Sequence, residues 1–182
     1  MGIGGSCRIS PAARGETPNG GTFRVADATL FSWDVAVQKA RTAVYFSNEG
    51  RALSTRAVGF LSQSMLPPGI ESTAPGPLLG VQEIFSRFAG RNPLNGAVAP
   101  DPPQIYPELP NGITIFPGGF PLYRNGVLIG AVGISGDGVD QDDLIGIAAA
   151  VGFFPPDHIR ADRFEVRGAR LPYARFPRNP NL

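Results

Sequence analysis

Apolar positions along this chain alternate with period two in one stretch and repeat at helical spacing in several others. They lose all period at both ends and in a long middle segment. The clearest passage runs from Ile113 to Gly152 and predicts strand, tight turn, strand, glycine-rich loop and helix. Asn125-Gly126 separates Phe120-Pro121-Leu122-Tyr123 from Val127-Leu128-Ile129, and Asn-Gly between apolar runs is a strong hairpin signal. Both residues tolerate the positive φ of a type I′ turn. The second strand continues through Gly130 and Gly133 into Gly136 and Gly138, and glycine within a strand predicts a bulge or a close backbone approach. A helix then opens near Asp140 and closes at Gly152.

Upstream, Trp33, Ala36, Val37, Ala40, Ala43 and Val44 fall at helical spacing and predict a helix over residues 32–47. Ser32 is its expected N-cap, with Asp34 in the first turn. A second helix is expected over 55–65 with Ala57, Val58, Phe60 and Leu61 inward, stopped by Pro67-Pro68-Gly69. A short helix is expected over 82–89. Residues 91–110 hold six prolines and few apolar side chains, which predicts an extended excursion used for function or subunit contact. Beyond Gly152, Phe153-Phe154-Pro155-Pro156 breaks the chain, and 157–168 reads as a last helix or strand.

The ends lack period. Residues 1–21 read as a disordered or extended leader. The tail RLPYARFPRNPNL reads as lying in solvent or on a neighbour. The expected division is therefore a leader at 1–21, a domain at 22–160 with a loop-rich insertion at 66–110, and a proline- and arginine-rich tail at 161–182.

Composition narrows the class. The chain has 182 residues, 42% of them hydrophobic and 17% charged, with 24 glycines and 19 prolines. That is globular but turn-rich. A formal net charge of +1 gives no reason to expect a nucleic-acid partner. Of the sixteen basic residues only Lys39 is lysine, a bias that points to a GC-rich, bacterial genome. Cys7 is alone, which excludes an internal disulfide framework and a cysteine metal site. No apolar run spans a membrane and no signal-peptide core is evident, so a cytoplasmic location is favoured.

Several chemical patterns fail on inspection. Read from Asp137 as a calcium loop, the third position is Val139, the sixth Asp142 and the twelfth Ala148, against the acids, glycine and glutamate required. Gly133-Ile134-Ser135-Gly136 lacks the final glycine of a nucleophile elbow, and no phosphate-loop motif is present. Asp140, Asp142 and Asp143 read as caps and dipole partners of the following helix. His158, the only histidine, is the candidate metal or haem ligand. Lys39, among Ala36, Ala40 and Ala43, is placed to meet an acid or a ligand carboxylate, or to snorkel to solvent.

Three segments carry a family resemblance. They are Asp34–Ala43 with its Lys-Ala pair, Phe116-Pro117-Gly118-Gly119-Phe120-Pro121-Leu122, and Asn125–Gly136 followed by Asp140-Gln141-Asp142. Together they resemble the GlcG/HbpS-like family, which includes the C-terminal domain of PduO-type proteins, over Phe23 to about Gly152. The resemblance implies an α+β, profilin-like fold: an antiparallel sheet flanked by helices, assembling into a homo-oligomer. It also implies that haem or a related tetrapyrrole is a candidate ligand. Family members carry a helix and two strands before the Lys-bearing helix. Here only Phe23 to Val25 stands in that place, so those strands are expected to be missing.

The leading functional expectation is a small-molecule-binding domain, non-catalytic or weakly catalytic. Its site would be lined by Lys39, Phe116, Pro117, Gly118, Gly119, Pro121, Gly133, Ser135 and Gly136. A structural assembly module, or an accessory enzyme of hydroxy-acid or cobalamin metabolism, is the alternative.

Overall fold

The computed structural model describes residues 3–8, 19–81 and 112–175, with side chains from Gly20 onward. Its centre is a four-stranded antiparallel sheet of β1 (Ile3–Arg8), β2 (Asn19–Phe23), β3 (Gly119–Arg124) and β4 (Val127–Ser135), in the order β2-β1-β4-β3. The hairpin between β3 and β4 forms as the sequence predicts, with Asn125 at φ 51° and Gly126 at φ 79°. Register slips between Leu122 and Tyr123, so that Leu122 faces Gly130 while Tyr123 faces Leu128. Gly130, at φ 155°, sits at that bulge.

Within the expected disordered or extended leader, the described residues 3–8 form β1 and 19–21 begin β2, and β1 pairs along β4 from Ile3↔Ser135 to Arg8↔Gly130. These two strands fill the place where the family's strands were expected to be missing. A ladder of this kind depends on main-chain groups, which explains why a glycine-rich, period-free stretch concealed it.

Helix α1 (Leu30–Tyr45) lies on one face of the sheet, against β1, β3 and β4. Small residues let it approach closely. A Cβ on Gly133 would fall 2.6 Å from Ala40 N and closer still to Ala36 O, so only glycine fits beneath the helix. From Val35 to Val44 every residue of α1 is buried, including Gln38, Lys39, Arg41 and Thr42. Polar groups from residues 112–134 satisfy that interior: Arg41 Nη1 donates to Gly112 O at 2.8 Å, and Thr42 Oγ1 donates to Thr114 O at 2.7 Å. Trp33, one of the apolar residues at helical spacing, is 46% exposed. The helix starts two residues before Ser32, with Thr29 at the N-cap position.

The other face carries the main core. Helix α2 (Thr55–Leu61), capped by Ser54 Oγ accepting from Ala57 N, contributes Ala57, Val58 and Leu61 and ends before the expected residue 65. Helix α3 (Val139–Ala149) contributes Ile147, and its Gly146 lies against the Phe120 ring. After two short 3₁₀ turns, β5 (Glu165–Val166) and β6 (Ala169–Arg170) form a small hairpin.

The chain from Leu171 to Arg175 then returns to the core rather than to solvent. Leu171 and Tyr173 are buried, Tyr173 packs edge-on to Phe120 with centroids 5.7 Å apart, and its carbonyl accepts from Ser54 Oγ. The reading of this tail as lying in solvent or on a neighbour is thereby corrected for residues 171–175. The expected helix at 82–89 and excursion at 91–110 lie outside the described residues. Among the described residues, no helix is long and apolar enough to cross a membrane.

Candidate functional site

Two polar clusters gather where the start of α3 meets Gly118, the middle of α1 and the first turn of α2. In the first, Lys39 is 1% exposed, and its Nζ donates to Ile134 O at 2.7 Å and to Asp142 Oδ2 at 2.8 Å. Burial lowers the Lys39 pKa, and the hydrogen bond to Asp142 works against that shift. Of the roles open to Lys39, the one the structure displays is an internal ion pair with an acid.

The second cluster is an alternating quartet. Arg56 Nε donates to Asp143 Oδ2 at 2.6 Å, and Arg56 Nη2 donates to Asp140 Oδ1 at 2.8 Å. Arg175 Nη1 also reaches Asp140, at 2.6 Å. Asp143 is wholly buried and accepts two main-chain N–H groups, from Gly118 at 3.1 Å and Arg175 at 2.6 Å. Burial raises its pKa, with Arg56 and the main-chain donors opposing. Asp140 lies nearer solvent, and its hydrogen bond from Arg56 holds its carboxyl below the ordinary range.

The aspartates therefore differ from the caps the sequence suggested. The N-cap position of α3 is Gly138, with no side-chain cap. Asp140 and Asp142 still occupy the first turn, where their charge complements the helix dipole. Their partners are cations distant in sequence.

The predicted site residues separate into two groups. Gly118, Gly119, Pro121, Gly133 and Ser135 are buried. A Cβ on Gly118 would lie 2.9 Å from Asp142 Cβ, and one on Gly119 would lie 2.5 Å from Thr55 Cγ2. The close approach that a ligand would need at these glycines is occupied by protein. Gly136 is exposed in the loop between β4 and α3, and His158 is exposed on a 3₁₀ turn. Among the described residues, no group of three or more His, Cys, Asp or Glu side chains is placed to hold a metal ion.

Phe116 and Pro117 face a different space. They line an open groove of about 410 Å³ together with Arg56, Gly59, Phe60, Ile115 and Pro172. Its walls are α2, residues 115–117 and the returning C-terminal segment. A Cβ on Gly59 would come 2.9 Å from Ile115 O, so α2 packs directly on the 112–117 segment. Sequence reasoning found one wall of this groove. It missed Arg56, Phe60 and Pro172, because nothing local joins α2 to a segment over a hundred residues later.

A four-stranded antiparallel sheet with α1 on one face and a second core on the other defines a mixed α+β domain. Residues 22–151 match the family described as haem-degrading protein HbpS-like, and the chain belongs to that family. Among solved structures it is similar to a PduOC–heme complex, with 26% identity, a TM-score of 0.52, and coverage of 86% of this chain and 82% of the other. It is also similar to protein ORFY of Klebsiella pneumoniae, of the DUF336 family. There the identity is 24% and the TM-score 0.48, over 81% of this chain and 72% of the other. No curated protein matches the chain.

Proposed function

We propose that this protein binds haem or a related tetrapyrrole in the groove between α2, Phe116-Pro117 and Pro172. The observation that carries the reading is the groove's chemistry: Phe60, Ile115, Phe116, Pro117 and Pro172 offer apolar faces, and Arg56 stands among them as the only cation of the lining among the described residues. A planar macrocycle with acidic substituents needs that pairing of a flat apolar wall with one anchored donor. Family membership and the similar PduOC–heme complex support the same ligand class. The sheet order and the helix on its face are compatible with a profilin-like arrangement.

The fit to haem is good for the ring and its carboxylates, and poor for iron. No His, Cys, Met, Tyr or Lys lines the groove among the described residues. Titration of the full-length chain with hemin tests the reading. A saturable Soret change at micromolar concentration with one equivalent is the expected result. A linear, non-saturating change identical to that of hemin in buffer overturns it.

A second reading, assembly into a homo-oligomer, is favoured by a different observation. Phe23, Leu30, Phe31 and Trp33 are all exposed where β2 ends and α1 begins, Phe31 to 72%. Large apolar side chains gathered this way mark an interaction surface. Sedimentation of the parent and Phe31→Ser tests it: the parent is expected to sediment as an oligomer that the substitution weakens, and a monomeric parent contradicts it.

A further inference from the structure

Resting on the tetrapyrrole reading of the groove, we propose that the site recognises the face and acidic edge of the macrocycle and not its metal. It therefore takes metal-free porphyrin as readily as haem. Among the described residues, the side chains able to ligate iron are accounted for elsewhere. Lys39 Nζ is committed to Ile134 O and Asp142, the Tyr123 hydroxyl donates to Asn48 O at 2.7 Å, and Tyr173 is buried in the core. His158, Met65 and Tyr45 are not among the groove's lining residues. The lining side chains are hydrocarbon, apart from those of Arg56 and Gln63, and Gln63 Nε2 donates to Gly59 O at 2.8 Å.

Arg56 is fitted to read an acid by direction rather than by net charge. Arg56 and Arg175 face Asp140 and Asp143, so the quartet is formally neutral. Two of the guanidinium donors, Nε and Nη2, are fixed by the aspartates, and Nη1 carries no hydrogen bond to a described residue. Held in place by its own ion pairs, the guanidinium offers that remaining donor without first losing conformational freedom. A carboxylate accepting it forms a charge-assisted hydrogen bond. Asp143, in turn, is a positioning residue acting through Arg56.

The test keeps the protein unchanged and varies the ligand, because replacing Arg56 strands the buried Asp143. Hemin, metal-free protoporphyrin IX and protoporphyrin IX dimethyl ester are titrated into the full chain, by absorption or porphyrin fluorescence. Hemin and protoporphyrin IX are expected to bind with dissociation constants within about threefold of each other. The ester is expected to bind about tenfold or more weakly, a loss in line with one hydrogen bond to a charged group. The spectrum of bound ferric haem should lack the low-spin signature of protein nitrogen or sulfur ligation. Hemin binding a hundredfold tighter than protoporphyrin IX overturns the inference while leaving the tetrapyrrole reading standing. An ester that binds as well as the free acid overturns the role of Arg56. Failure of all three porphyrins to bind overturns the tetrapyrrole reading and this inference with it.

Discussion

Replacing Lys39 by methionine removes the cation from the most deeply buried ion pair among the described residues while keeping most of the side chain's volume. The Lys39 and Asp142 side chains are 2% and 5% exposed, and Nζ also satisfies Ile134 O. Stranding one partner of a buried pair costs about 3–5 kcal/mol. The orphaned carbonyl adds about 1 kcal/mol or more.

The loss at pH 7 is therefore about 4 kcal/mol, a large part of a typical domain's total of about 5–15 kcal/mol. Urea unfolding of Lys39→Met should show a midpoint about 2 M lower at pH 7 for a slope near 2 kcal/mol/M. The double variant Lys39→Met/Asp142→Leu should recover part of the loss. A deficit below about 1 kcal/mol, or a double variant no more stable than Lys39→Met, refutes the reasoning.

Gly133→Ala should lower stability by about 1–3 kcal/mol in the same assay, because α1 must lift off the sheet to admit a Cβ; an unchanged midpoint would mean that α1 is not seated there. Tyr173→Ala should cost about 3–5 kcal/mol as a buried aromatic lost from the core. Tyr173→Phe should be neutral or stabilising by thermal melt, since the buried Tyr173 hydroxyl has no partner among the described residues. Asp140, with its pKa held below the ordinary 3.8 by Arg56, contributes stability above that value and loses it as pH falls through the folded value. Asp143 has the opposite sign, its raised pKa relieving a penalty on acidification. Asp140→Asn should therefore flatten the fall in melting temperature between pH 5 and pH 2.5, and an unaltered pH profile would contradict the pairing.

What was legible in the sequence is what local chemistry dictates. Asn125-Gly126 demands a tight turn wherever it stands between apolar runs, and Gly130 and Gly133 mark a bulge and a close approach as glycines in a strand should. The GlcG/HbpS-like resemblance carried the family for the same reason, since its motifs lie in this hairpin. The rest depends on partners far along the chain. Lys39 and Asp142 are separated by 103 positions and Ser54 and Tyr173 by 119, so neither pair leaves a local period. β1 is legible only through its ladder with β4. The aspartates after Gly138 suggested capping because the cations that meet them, Lys39, Arg56 and Arg175, come from α1, α2 and the end of the described chain. The candidate site shifted accordingly: the glycines belong to packing, and the open groove begins at Phe116 and Pro117.

Comparison of hemin affinity between the parent and Phe116→Ala tests the central claim most directly. Phe116 is 40% exposed on the groove wall, so its truncation leaves the core untouched. Loss of an aromatic face worth about 0.5–1.5 kcal/mol should weaken saturable hemin binding by about two- to tenfold with an unchanged melting temperature. Equal affinity in the two proteins would place the ligand elsewhere, and no saturable binding to the parent would contradict the account as a whole.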